Sequence, residues 1–312
     1  MQTILDVVKD CDNFPYEDES QPDLWKFCLP DDPRPHGLLI PSVVKAMPWT
    51  DSFQLNHSAK TIHLIRPAGI NWESKCTAII DAQVQLAREK GTFPALGKPR
   101  HEEFPIVGAR FRVGIDRSAF SMFGIIGRGV HMTVYVRVGE SRELKVWIPQ
   151  RNLNKATYPG ALDNTVAGGM ATGEKPMECL VREASEEAGM EERILRRDVR
   201  AAGTVTWLNV SDERSGGQSG LMNPGILYVY DMEVEEDVVF KPVDDDVHAF
   251  HLMGMEEVKE AMLDGRFKPA SACVMIDFLI RHGIITAEEE EDYAEIVSRL
   301  HRKLPLPSSI RI

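Results

Sequence analysis

The sequence predicts an α+β protein. Its main part is a mixed sheet sandwiched between helices (an α/β/α sandwich), with a smaller α+β accessory domain in front. Three observations carry this. Four segments of the second half, at 130–138, 143–148, 203–210 and 226–234, read as strands, with alternating hydropathy and many β-formers. Helical periodicity is interleaved with them at 176–188 and returns at 255–263, 271–282 and 286–300. Before residue 120 the text differs in kind, mixing turns with short periodic pieces. The expected division is an accessory domain over 1–120 and a main domain with C-terminal helices over 121–312.

Taken in order, M-Q-T-I-L-D-V-V-K-D holds two aspartates and no basic cluster, so it reads as a short amphipathic helix and not as a signal or transit peptide. Asp31-Asp32-Pro33-Arg34-Pro35 is loop chemistry. A helix is expected over 72–90, with Ala78, Ile79, Ala82, Val84 and Leu86 as apolar positions and Gly91 as its stop. The turn-rich segment 91–103 bridges to the main domain, and 151–163 is a loop. The helix at 176–188 has Pro176 in its first turn, Gly189 as its C-cap, and Lys175 where a better-capping Ser or Thr is usual. Met177, Leu180, Val181, Ala184 and Ala188 form its apolar stripe. The polar, glycine-rich segment 211–224 reads as a mobile lid or a plain hairpin loop, and 247–253 as a further strand. No internal repeat is present.

The 312 residues are 43% hydrophobic and 27% charged, as in a soluble globular protein of one large or two ordinary domains. A net charge of -12 argues against binding nucleic acid or an anionic membrane surface. No apolar run reaches the length of a membrane span. The five cysteines, Cys11, Cys28, Cys76, Cys179 and Cys273, are scattered and form no C-x-x-C pair. That argues against a disulfide framework or zinc site and fits a reducing, cytoplasmic setting.

One pattern carries chemistry. Gly168 is followed after five residues by Glu174, after seven more by Arg182-Glu183, then by Glu186-Glu187 and Gly189. Glu183, Glu186 and Glu187 stand at i, i+3 and i+4 and are neighbours on one helical face. Like charges at that spacing repel, and hard divalent cations such as Mg²⁺ are their natural filling. Arg151 and Lys155, in the loop before this pattern, are candidates for neutralising substrate phosphates, against the reading of an ordinary cationic surface loop. His131 reads as structural, and Trp207 and Tyr158 as packing residues before aromatic-stacking ones.

The spacing is that of the Nudix box. Its flanks, G-R-G-V-H-M-T-V-Y-V at 127–136, R-N-L-N-K-A-T-Y-P-G-A-L-D-N-T-V-A-G-G at 151–169 and F-K-P-A-S-A-C-V-M-I-D-F-L-I-R-H-G at 267–283, resemble the thiamine pyrophosphokinase-related branch of that superfamily. G-L-L-I-P-S-V-V-K-A-M at 37–47 and G-T-F-P-A-L-G-K-P-R-H-E-E-F-P at 91–105 are similar to the accessory domain of the branch. Ala184 departs mildly from the usual aliphatic residue. With no separate kinase domain in the chain, the branch name implies no kinase activity.

The resemblance implies metal-dependent cleavage of a small-molecule diphosphate, with water attacking phosphorus. Glu183, Glu186 and Glu187 would bind Mg²⁺ or Mn²⁺, and one of them would accept the water's proton; Glu183 is a common choice, although the base varies. Glu174 would support the cluster and Arg182 would hold a glutamate in place. The carbonyl of Gly168 or Gly169 and the side chain of Asp246 are offered as further metal ligands, Asp246 matching a glutamate of its relatives or else being a solvated turn. The implied substrates are thiamine diphosphate-like compounds, oxidised or damaged forms included. The alternatives are a nucleoside-diphosphate-sugar or dinucleotide pyrophosphohydrolase, and a Nudix-fold sensor or scaffold. Monomer and homodimer both remain open.

Overall fold

The first turn of the chain is fixed locally. Thr3 and Asp6 cap each other reciprocally, Asp6 N donating to Thr3 Oγ1 at 3.2 Å and Thr3 N to Asp6 Oδ2 at 2.9 Å. This starts helix α1 (Ile4–Cys11), whose Leu5, Val7, Val8 and Cys11 are buried. The computed structural model describes residues 2–16, 23–97, 102–215 and 218–310. Parts of two expected segments, 98–101 of the bridge and 216–217 of the lid or hairpin loop, lie outside the described residues.

The first third holds a sheet that periodicity did not resolve. Its elements are β1 (Trp25–Cys28), β2 (Pro35–Leu39), α2 (Pro41–Ala46), β3 (Phe53–Asn56), β4 (Thr61–Leu64) and α3 (Glu73–Glu89). The strand order is β2-β1-β4-β3. Strands this short give too few alternations to stand out. Helix α3 buries Cys76, Ile80, Val84 and Ala87 in a core with Phe27, Ile62 and Phe123. A separate ribbon, β5 (Glu103–Pro105) with β6 (Gly114–Asp116), leads into the second half.

There follow β7 (Gly127–Val138), β8 (Glu143–Arg151), β9 (Val166–Gly169), α4 (Pro176–Ala188), α5 (Glu192–Asp198), β10 (Arg200–Val210), β11 (Met222–Glu233), β12 (Val247–Gly254), α6 (Met255–Leu263), α7 (Pro269–Arg281) and α8 (Tyr293–Leu300). The sheet runs β10-β11-β7-β8-β12, with β9 also paired to β7. The β11–β7 pair is parallel and the others antiparallel, so the sheet is mixed. One face packs α4 and α5 through Val130, Met132, Val134, Leu180, Ala184 and Leu195. The other packs α1, α6, α7 and α8 through Val146, Ile148, Val258, Ile276, Phe278 and Ile296. This is the expected α/β/α sandwich.

Three expectations change. The last helix is shorter than 286–300, because turns fill the stretch before Tyr293. Helix α5 and strand β9 were not anticipated: the first is a charged two-turn helix, the second a four-residue strand with two glycines. Helix α1, placed by sequence in the accessory unit, buries its stripe against α7 in the larger core. We therefore propose the division near residue 120 with that exchange: the first helix belongs to the main domain.

A fork in the sheet positions the site. Strand β7 pairs with β8 only over Tyr135–Val138, then takes β9 as its partner from Met132 back to Gly129. Thr165 plugs the fork: its hydroxyl donates to Trp147 O at 2.6 Å and accepts from Val134 N at 2.9 Å. Just before Thr165, Asp163 and Asn164 bond Ser271 of α7, and just after it Ala167 bonds Glu187 of α4.

Candidate active site

Helix α4 is oriented by its buried side. Cys179, Leu180, Ala184 and Ala188 are buried, which turns Glu183, Glu186 and Glu187 away from the core and toward β9. Pro176 starts the helix, Lys175 caps without a side-chain bond, and Gly189 ends it in the left-handed region at φ 63°. Contact between β9 and α4 depends on Gly168. A Cβ there would stand 2.0 Å from both Cγ and Cδ of Glu183, so only glycine lets the glutamate lie against the strand. One residue earlier, Ala167 N donates to Glu187 Oε2 at 3.0 Å.

Arg182 is the hub of the acidic face. It grips Glu174 with two donors, Nε to Oε1 at 3.0 Å and Nη2 to Oε2 at 3.2 Å. Its Nη1 donates to Glu183 Oε1 at 2.7 Å and Glu186 Oε2 at 3.3 Å, and its Nη2 to the Gly169 carbonyl at 3.2 Å. Such fork-to-carboxylate bonds are strong and directional. Glu174 also accepts from Ala171 N at 3.1 Å, closing the loop before the helix. Burial opposes ionisation of Glu174, but Arg182 and the Ala171 amide outweigh it and hold its carboxyl below the usual range.

The helix carboxylates differ from Glu174. Glu183 is 14% exposed, and burial, reinforced by Glu186, raises its carboxyl against the pull of Arg182. Burial pushes Glu187 well above the usual range; the Ala167 amide opposes this, and the charges of Glu183, Asp163 and Asp244 add to it. Glu186 is 55% exposed. Two desolvated carboxyls share one cleft, therefore, and among the described residues Arg182 is the only cation hydrogen-bonded to either.

The residues fit a hard divalent cation. The ligand atoms are all oxygens, and Glu183 and Glu187 each keep one oxygen, Oε2 and Oε1 respectively, with no hydrogen-bond donor among the described residues. Among the described residues no three side chains form a preformed metal cage, because Arg182 holds Glu183 and Glu186. The Gly169 carbonyl, offered by sequence as a ligand, is engaged by Arg182 and by Cys179 Sγ at 3.4 Å. Gly168 pairs with Val130 in the ladder.

Other expected residues have partners within the chain. Arg151 is turned inward as a brace: Nη1 donates to Asp163 Oδ2 at 3.0 Å, Nε to Tyr158 O at 3.3 Å and Nη2 to Thr157 O at 3.1 Å. Lys155 and Asp246 form an ion pair with each other. Asp244, which donates no bond but accepts from Asp246 N at 2.9 Å, is the member of that acidic turn whose charge acts on Glu187. His131 is buried and bonded through Nδ1 to Asn164 Oδ1 at 2.6 Å. Trp207 packs against Gly225, where a Cβ would stand 2.2 Å from the ring. Tyr158 lines a cavity of about 850 Å³ behind the 151–163 loop, with Gln150, His251 and Arg266; none of the α4 glutamates reaches it.

Three residues escaped the sequence reading. Asp163 is buried between Arg151 and the start of α7, accepting from Asn164 N at 2.9 Å and from the Ser271 hydroxyl. Burial opposes its charge, yet Lys268, His131 and Arg151 hold its carboxyl far below the usual range. Lys268, at the N-cap of α7, lies close enough to Asp163, Arg151, Glu187 and Arg117 for each to act on its charge. Arg117, just after β6, stacks over Phe104 at 5.3 Å and has its guanidinium carbon 3.9 Å from where a Gly169 side chain would begin. Single acidic and basic residues far apart in the chain carry no periodic signal. Only the fork in the sheet brings them together.

An acid-lined cleft of this kind on an α/β/α sandwich defines a class: hydrolases acting on phosphoric anhydrides. The sequence pattern of the NUDIX domain matches residues 127–274. An uncharacterized protein of Saccharomyces cerevisiae is 36% identical over 268 residues, or 83% of this chain and 76% of that protein. Two chloroplastic proteins of Arabidopsis thaliana, Nudix hydrolase 20 and Nudix hydrolase 24, are 34% and 32% identical over 74% and 70% of this chain. The chain spans 59% and 57% of their lengths. The chain belongs to the Nudix superfamily, whose hydrolases use divalent metals such as Mg²⁺ or Mn²⁺. Among the described residues no helix is long and apolar enough to cross a membrane.

Proposed function

We propose that this chain is a metal-dependent pyrophosphohydrolase that cleaves thiamine diphosphate-like compounds, oxidised or damaged forms among them, to the monophosphate and phosphate. The observation that carries the hydrolase reading is the pair of desolvated carboxylates, Glu183 and Glu187, held against β9 by Gly168 and Ala167. The thiamine reading is supported by the flanking segments at 127–136, 151–169 and 267–283, which resemble one branch of the superfamily. Five free thiols, all buried, suit a reducing compartment such as the cytoplasm.

Glu183, Glu186 and Glu187 would hold Mg²⁺ or Mn²⁺, with Asp244 in place of Asp246 as the nearby acidic residue from the later turn. When bound, the cation supplies positive charge to a diphosphate and acidifies water. The chain's own part is positioning. Arg182 fixes Glu174, Glu183 and Glu186 as a unit, and Ala167 fixes Glu187. Water attacks phosphorus, the anhydride P–O bond breaks, and the proton passes to a carboxylate. Glu183 Oε2 or Glu187 Oε1 can accept it without losing a protein hydrogen bond.

Steady-state kinetics with Mn²⁺ on thiamine diphosphate, its oxo and oxy forms, and nucleotide-sugar and dinucleotide controls test this. The highest kcat/KM is expected on a thiamine compound. Preference for a nucleotide sugar or dinucleotide would remove the thiamine reading and leave the hydrolase. No turnover on any of them would remove both.

A further inference from the structure

We infer that Lys268 binds a non-bridging phosphate oxygen of the substrate from the α7 side of the cleft. This rests on the hydrolase reading and deepens it. The main chain at Lys268 is locked: its N–H donates to Leu162 O at 3.0 Å, and its carbonyl accepts from Ser271 N and Ala272 N, each at 2.9 Å. The root of the side chain is therefore fixed by the start of α7. The ammonium end makes no hydrogen bond to the described residues, and its nearest anion, Asp163 Oδ2, stands 3.8 Å away.

Both Asp163 oxygens are hydrogen-bonded without this cation, although the Lys268 charge helps to hold the carboxyl down. One of its oxygens accepts from Asn164 N and from the Ser271 hydroxyl, and the other from Arg151 Nη1 at 3.0 Å. Arg151 and Lys268 give two positive charges around one aspartate, and the nearby His131 is held neutral, its imidazole lowered to about 4 by burial. One positive charge is left over. A short chain of contacts links its end of α7 to Glu187: Ala167, which donates to Glu187, pairs with His131, whose ring is bonded to Asn164, which donates in turn to the Ser271 carbonyl of α7; 24% of the Lys268 side chain is exposed. A confined ammonium with three unused donors is costly unless an anion arrives. The anion that belongs beside the α4 glutamates in a diphosphate hydrolase is a phosphate. Arg117, ion-paired with Glu102, also acts on the charge of Glu183.

Binding of methylenediphosphonate, a non-hydrolysable diphosphate, by calorimetry tests the inference with and without Mn²⁺. In Lys268→Met the affinity is expected to fall at least tenfold, with Mn²⁺ uptake alone within threefold of the parent. Lys268→Arg, which keeps the charge, is expected to recover most of the loss. A lysine that merely balances Asp163 behaves differently. Adding Asp163→Asn to Lys268→Met would then restore diphosphonate binding, whereas a phosphate ligand leaves the double variant weak. Parent-like binding in Lys268→Met or in the double variant overturns the inference, as does a parent chain that binds no diphosphonate. If the parent binds diphosphonate equally with and without Mn²⁺, the metal-dependent hydrolase reading fails while the Lys268 comparison still stands.

Discussion

Two buried polar clusters flank the fork between β7 and β8, and they are built to opposite ends. On the α7 side, Asp163 is fully answered: Arg151, the Asn164 amide and the Ser271 hydroxyl bond both of its oxygens. On the α4 side, Glu183 and Glu187 each have a single type of donor and an oxygen left over. Both clusters put carboxylates under a desolvation load, but only the first answers it from within the chain. The physical consequence appears in the carboxyls themselves, depressed at Asp163 and raised at Glu183 and Glu187. A satisfied cluster holds the loop 151–163 in place. An unsatisfied one is where the proposed function puts a cation and a phosphate.

The contrast breaks most sharply at Glu187. Replacing it by glutamine keeps the bond from Ala167 N and removes the charge. Turnover is expected to fall on the order of 10³-fold, the scale for losing an electrostatic or proton-accepting group. Folding measured by circular dichroism should be unchanged. Retained activity at saturating Mg²⁺ would exclude the role. On the other cluster, Asp163→Ala leaves Arg151 and Lys268 facing each other without an anion. The expected cost is about 3–5 kcal/mol of stability, as for breaking a buried ion pair. Urea unfolding reads this directly, and a loss below about 1 kcal/mol would show the cluster to be wet and unimportant to the fold.

A subtler change separates strand from helix. In Gly168→Ala the new methyl meets Glu183 at 2.0 Å, so β9 or the glutamate must move. Metal affinity is expected to weaken about 10- to 100-fold, in the range seen when the supports of metal ligands are removed. Calorimetric Mn²⁺ titration would show it, and an unchanged isotherm would mean that Glu183 is not a ligand.

The sequence made the acidic face plain and left its counterpart invisible, for a physical reason. Glu183, Glu186 and Glu187 lie within five residues and obey helical spacing, so one short window holds the pattern. The α7-side cluster joins His131, Arg151, Asp163 and Lys268, whose proximity depends on β7 changing partners and on Thr165 plugging the fork. No window of sequence contains that event. The same limit explains Arg151 and Lys155. They were candidates for phosphate contacts, and their partners within the chain, Asp163 and Asp246, are set by the path of the loop and not by any local pattern. Long alternating strands such as β7 and β11 were legible, while β1 and β4, with four residues each, were not.

The smallest effect concerns pH and separates the clusters by sign. Glu183 and Glu187 hold protons more tightly folded than unfolded. Their contribution to stability is therefore full below the ordinary carboxyl value of about 4.3 and is lost as pH rises through their raised values. His131 works the other way: lowered to about 4, its contribution is present above about 6.5 and lost as pH falls toward its folded value. Asp163, depressed, loses its contribution only in strong acid. In the proposed function a cation binds the deprotonated glutamates, so it should cancel the first trend and leave the other two untouched. The rise in Tm on adding Mn²⁺ should accordingly grow by a few degrees from pH 5 to pH 8, the shift that about 1 kcal/mol produces in a chain of this size. In Glu187→Gln most of that growth should vanish, and the metal-free variant should melt above the parent at pH 8. Equal Mn²⁺ stabilisation at both pH values would mean that the α4 carboxylates are already charged and balanced without a cation, and the contrast between the two clusters would not hold.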